Sequence, residues 1–161
     1  MPIAVGQKVP HATFKVMKDG KVVDLTTQDV FAGKTVALFA VPGAYTPTCH
    51  AKHVPSFVND AEKLKGKGVD LIACTAVNDA FVLAQWAKDT GAAGKIEFLA
   101  DGSAEFARAI GMDIDLGGAG LGVRSKRYAM VVKDGTVAVM NTEANPGVCE
   151  LTSAAELLKS L

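Results

Sequence analysis

The sequence predicts an α/β fold in which a mixed β-sheet is covered by helices on both faces. Three observations predict it. Short apolar runs rich in β-branched residues alternate with segments of helical period. Those runs lack an exposed polar face, so their strands must be buried on both sides. A strand, a tight turn and a second strand follow late in the chain and add an antiparallel pair. The 161 residues, 49% hydrophobic and 21% charged, suit one folded domain spanning 1–161.

In chain order, KVVDL (21–25) reads as a short strand after the Asp19-Gly20 turn. TVALFAV (35–41), bounded by Gly33 and Pro42, reads as a buried strand. From Pro47 the period changes. Val54, Phe57, Val58, Ala61 and Leu64 recur at three- and four-residue steps, which predicts a helix ending at Gly66 and Gly68. Pro55 lies inside it and should kink it. VDLIACTA (69–76) is the next buried strand, and Asn78 or Asp79 caps a helix carrying Phe81, Val82, Gln85, Trp86 and Ala87 that ends near Gly91. A strand near 96–100 and a short helix over 103–110 follow, and the glycine-rich stretch 112–123 reads as loop. RYAMVV, Lys133-Asp134-Gly135 and TVAVMN form a hairpin, and a helix over 152–160 starts from Thr152 or Ser153. This order is expected of a thioredoxin-like three-layer sandwich.

Lys plus Arg balances Asp plus Glu at 17 each, so no global field favours nucleic acid or an acidic membrane. No apolar run approaches the ~20 residues that span a bilayer, and the first residues lack a signal-peptide pattern. Three cysteines, Cys49, Cys74 and Cys149, do not suggest a paired secretory framework, so a cytoplasmic location is expected. No C-x-x-C is present, and Cys49, His50, His53 and Cys149 do not have the paired spacings of a closed zinc site, so neither metal nor cofactor is expected.

Cys49 is the residue with chemical promise. Thr46 suits a helix N-cap and Pro47 the first helical position, which makes Cys49 the third residue. Free N–H groups and the positive dipole end favour an anion there, and the thiolate is the nucleophilic form of cysteine. The Thr46 hydroxyl, one turn away, is expected to donate to the sulfur or to a bound oxygen. Arg127 shares a strand face with Ala129 and Val131; pointing under a covering helix it would need an anionic partner, and at a strand end it would stay in solvent. Arg124 and Lys126 are expected in solvent or at an interface, His11 at the surface, and His53 as a hydrogen-bonded structural residue.

Pro42-x-x-x-Thr46-x-x-Cys49 matches the P-x-x-x-T-x-x-C signature of peroxiredoxins. VPGAYTPTC, KHVPSFV, GVDLIACTAVNDAFV and RYAMVVKDG make the chain resemble the peroxiredoxin 5, or type II, group over nearly its whole length. The resemblance implies a thiol peroxidase that reduces hydrogen peroxide and alkyl hydroperoxides. Cys49 would be peroxidatic, Thr46 and Arg127 its partners and substrate contacts, and Pro42 a shield of the pocket. It implies a homodimer and regeneration by glutaredoxin with glutathione, or by thioredoxin. Cys149 and Cys74 are the possible resolving cysteines: Cys149 lies about two residues before the group's usual position, and Cys74 lies in a buried strand. The other readings are a peroxide sensor that relays oxidation to a partner protein, and a thioredoxin-type disulfide reductase.

Overall fold

A computed structural model describes residues 1–161. Its central sheet has seven strands: β1 (Thr13–Lys18), β2 (Lys21–Thr26), β3 (Thr35–Ala40), β4 (Leu71–Ala76), β5 (Glu97–Ala100), β8 (Tyr128–Lys133) and β9 (Thr136–Thr142). They lie in the order β2-β1-β5-β4-β3-β8-β9. The three central strands β3, β4 and β5 are parallel, and the other pairs are antiparallel. This is the mixed sheet that the sequence predicts.

Central strands are apolar throughout because both faces are covered; in β3 every residue after Thr35 is buried. One face packs the helix that begins at Pro47, α4 (Ala80–Asp89) and α6 (Ala154–Leu158), with Cys49, Phe57, Trp86 and Leu157 in its core. The other face packs α1 (Thr27–Phe31) and α5 (Glu105–Ala109) on Phe14, Leu38, Phe106 and Tyr128. Asp79 and Ser153 cap α4 and α6 through their side chains, accepting from the N–H groups of Val82 and Glu156.

The helix from Pro47 bends through a π-helical turn, Cys49–His53, before α2 (Val54–Asn59) and α3 (Ala61–Gly66). Pro55 is the cause, since it offers no N–H and its ring crowds the preceding turn. The Val54 N–H reaches back five residues to the Cys49 carbonyl, and the Ser56 hydroxyl donates to the His53 carbonyl at 2.8 Å. Where a kink is expected the helix has a π-bulge that begins at Cys49.

The structure changes one expectation and adds two features. Residues 13–18 form β1, whose Phe14 and Val16 face the core on either side of exposed Lys15; the alternation spans too few residues to stand out. Residues 112–123 are not simply loop: β6 (Asp113–Asp115) and β7 (Val123–Ser125) pair around a 3-10 turn at Gly117–Ala119. Phe81, on α4, is 69% exposed, because Ala80, Leu83, Trp86 and Ala87 take the inward face.

Candidate active site

Four segments converge on the Cys49 sulfur. The strand β3 delivers the chain into Pro42, and the loop from Pro42 to Thr46 turns it into the helix. Pro42 and Gly43 are buried, and Tyr45 adopts a left-handed backbone (φ 65°). That conformation is unfavourable for a bulky residue. Here it is held by the Tyr45 hydroxyl, which donates to Asp89 at 2.6 Å, and by stacking on His50 at 5.7 Å. Trp86 donates from its indole to His50 Nδ1 at 2.9 Å, tying the same turn to α4.

The helix starts at Pro47, so Cys49 is its third residue, as the sequence indicates. Cys49 is wholly buried. Thr46 stands at the N-cap position, but its hydroxyl donates to the Gly43 carbonyl at 2.7 Å rather than to the sulfur. The compact 43–46 turn places that acceptor three residues back. Arg127 occupies the sulfur's other side. Its Nη2 donates to Cys49 Sγ at 2.9 Å, Nη1 lies 2.8 Å from His53 Nδ1, and Nε donates to the Pro146 carbonyl at 3.0 Å. At 2% exposure Arg127 is buried under the helix, which decides between the two positions left open for it.

His53 fixes that guanidinium. Its Nε2 lies 2.9 Å from the Thr152 carbonyl, which only accepts, while Nδ1 faces a guanidinium, which only donates. One neutral tautomer satisfies both. Burial, reinforced by the Arg127 charge, holds His53 down to about 3, so it stays neutral near physiological pH. The sequence leads to the expectation of a hydrogen-bonded structural histidine; the fold supplies its partners, Arg127 and the Thr152 carbonyl.

Residues 143–153 form the fourth wall. The Thr48 hydroxyl donates to the Gly147 carbonyl at 2.6 Å, and the Ala154 N–H donates to Ser56 Oγ at 3.3 Å. Glu143 Oε2 accepts from the N–H groups of Glu150 and Thr152 and from the Thr152 hydroxyl, at 2.7 to 2.9 Å. A cavity of about 250 Å³ is lined by Pro42, Thr46, Thr48, Leu116, Leu121 and Arg127 among others. Arg127 both lines this cavity and touches the sulfur, while Cys49 itself is wholly buried behind it.

The remaining cysteines are unbonded. Cys74 is enclosed in β4, where burial pushes its thiol well up. Cys149 is half-buried beside the Thr152 hydroxyl, at 3.9 Å, and burial raises it too. Arg124, expected in solvent or at an interface, is half-buried within the chain, with its guanidinium donating to the Pro42 carbonyl. Leu116, Leu121, Thr48 and Pro146 also belong to the site and carry no motif of their own.

Comparison with known proteins is consistent with this geometry. The Redoxin family model matches residues 4–158. The chain is 47% identical over 163 residues to "Peroxiredoxin-2E, chloroplastic" of Arabidopsis thaliana, covering 99% of this chain and 69% of that one. It is 45% identical to "Peroxiredoxin-2B" of the same plant over 99% of both chains. Among solved structures it is similar to reduced Prx3 from Vibrio vulnificus in complex with H2O2, with a TM-score of 0.93, 45% identity and 98% of both chains covered.

Proposed function

The chain belongs to the peroxiredoxins of the redoxin family and is a thiol-dependent peroxidase; from that premise we propose that Cys49 is its peroxidatic nucleophile, with Thr46 and Arg127 as partners. The observation that carries this is the 2.9 Å contact to Cys49 Sγ from Nη2 of Arg127, which itself lines the cavity. That contact sets a charged donor directly against the sulfur that would attack the peroxide.

Attack by the thiolate on the terminal oxygen of a hydroperoxide forms an S–O bond and breaks the O–O bond. Sulfur is oxidised to sulfenic acid, and the departing oxygen takes a proton to leave as water or alcohol. Negative charge moves from sulfur to the departing oxygen. Arg127, already donating to the sulfur, can follow that charge without reorganising, because His53 and Pro146 hold it from behind. Rotation of the Thr46 hydroxyl away from the Gly43 carbonyl would supply a second donor. Pro42, in the cavity wall, limits access of water. The substrates proposed are hydrogen peroxide and alkyl hydroperoxides.

For the reductant we propose glutaredoxin with glutathione, or thioredoxin, acting directly on the Cys49 sulfenic acid. Cys74 is enclosed, and the Cys149 segment is tied down through Glu143, which supports an external thiol over an internal disulfide. A homodimer is proposed from the family likeness, and a reducing cytoplasmic setting from the three unpaired thiols. Peptide mass spectrometry after one equivalent of hydroperoxide, with a sulfenic-acid trap and thiol blocking, tests the reading. The trap is expected on Cys49 alone. A Cys49–Cys149 or Cys49–Cys74 disulfide would replace the external-thiol cycle, and an unmodified Cys49 would end the assignment.

A further inference from the structure

The cavity has a wall that does not belong to the sheet. Leu116 and Leu121 are carried by the β6–β7 hairpin, which lies outside the seven-stranded sheet. Its internal bonds are local: Leu116 donates to the Gly122 carbonyl and Leu121 to the Leu116 carbonyl, at 2.7 and 3.1 Å. At its base the Lys126 N–H donates to the Met112 carbonyl at 2.7 Å. None of these bonds reaches the catalytic loop. The side chain of Arg124 does. Its Nε donates to the Leu121 carbonyl at 2.8 Å, and its Nη1 donates to the Pro42 carbonyl at 3.3 Å.

The fit at the loop end is close. A Cβ on Gly43 would stand 2.5 Å from Arg124 Nη1 and 3.3 Å from Thr46 Cγ2, so only glycine lets the guanidinium lie against the loop. One planar cation thereby joins the carbonyl beside the leucine wall to the carbonyl of the proline wall. The loop has tethers of its own: the Val41 N–H donates to the Thr75 carbonyl at 3.2 Å and the Ala44 N–H to Asn78 Oδ1 at 3.0 Å. The leucine wall lacks an equivalent hold on the loop.

We infer that Arg124 is a positioning residue for substrate choice: by clamping Leu121 to Pro42 it holds an apolar wall over Cys49 that recognises the organic substituent of an alkyl or aryl hydroperoxide. This rests on Cys49 being the peroxidatic residue. An organic hydroperoxide places its substituent on apolar surface and gains from burying it. Hydrogen peroxide has no such group and gains nothing from the wall. Binding made with a non-reacting part of the substrate appears in kcat/KM. The clamp therefore separates the two substrates, whereas a general loss of structure lowers both alike.

The test measures kcat/KM for cumene hydroperoxide and hydrogen peroxide in wild type, Arg124→Ala, Arg124→Lys, Leu121→Ala and the Arg124→Ala/Leu121→Ala double variant, with Cys49→Ser in parallel. In R124A the cumene hydroperoxide value is expected to fall about tenfold and the hydrogen peroxide value by less than about threefold. Lysine, which keeps one charged donor, should restore part of the ratio. Because Arg124 acts through Leu121, the double variant should lose about as much selectivity as either single variant, not the product of the two. An unchanged ratio in R124A, equal losses on both peroxides, or multiplicative effects in the double variant would each overturn the inference. Should R124A fail to fold, R124K and L121A carry the same comparison. Full turnover in C49S would instead strike at the site assignment, so the two failures are distinguishable.

Discussion

Arg127 Nη2 lies 2.9 Å from Cys49 Sγ while Nη1 of the same guanidinium lies 2.8 Å from His53 Nδ1. A cation therefore sits between the Cys49 sulfur and a neutral ring held by a backbone carbonyl. The sulfur's partner cannot swing away without also leaving His53 and the Pro146 carbonyl. Such preorganisation is what a reaction that moves charge from sulfur to oxygen requires.

Lysine at position 127 keeps the charge but not the three-way fork. Arg127→Lys is expected to lower kcat/KM for hydrogen peroxide by roughly 100-fold, the scale for losing a preorganised donor to the transition state. Steady-state peroxide consumption measures it, and near-wild-type activity would contradict the role.

Thr46 makes a bond in the resting site that the reaction is expected to exchange. Thr46→Ser retains the hydroxyl and should stay within about threefold of wild type, whereas Thr46→Val, of similar volume, should lose about 10- to 100-fold. Stopped-flow oxidation of Cys49, separated from its re-reduction, is the measurement. Equal rates in the two variants would assign Thr46 to the turn alone.

His53 gives a pH signature in stability. Its folded pKa, about 3, lies below the unfolded value near 6.5, so between those limits the unfolded chain binds the extra proton. The folded state then loses stability as pH falls from about 6.5 towards 3, and nothing is lost above 6.5. For one group the slope approaches about 1.4 kcal/mol per pH unit. Urea unfolding at pH 7, 6 and 5 should show a shallower decline in His53→Gln than in wild type; parallel declines would refute the buried neutral ring.

Glu143 anchors the segment that bears Cys149. Glu143→Ala leaves the Glu150 and Thr152 N–H groups without their acceptor and is expected to cost about 1–3 kcal/mol. It should also speed maleimide labelling of Cys149 in native protein while Cys74, enclosed in β4, stays unlabelled until unfolding. Mass mapping of labelled peptides reads both sites. An unchanged Cys149 rate would show that Glu143 does not restrain the segment.

The sequence determined what periodicity and local chemistry can carry. The run 35–41, the helix from Pro47, the turn Asp134-Gly135 and the position of Cys49 three residues into that helix depend on neighbours within a turn or two. So did the placing of Arg127 on the same strand face as Ala129 and Val131. Signals weakened where elements were short: β1 alternates over only a few residues, and β6 and β7 have three residues each. Tertiary structure alone decided the partners. Cys49 and Arg127 are 78 positions apart, Arg127 and Pro146 are 19, and Pro42 and Arg124 are 82. No local pattern aims a side chain across such separations. Packing does, by burying both ends so that each charge and hydrogen-bonding group must find its complement.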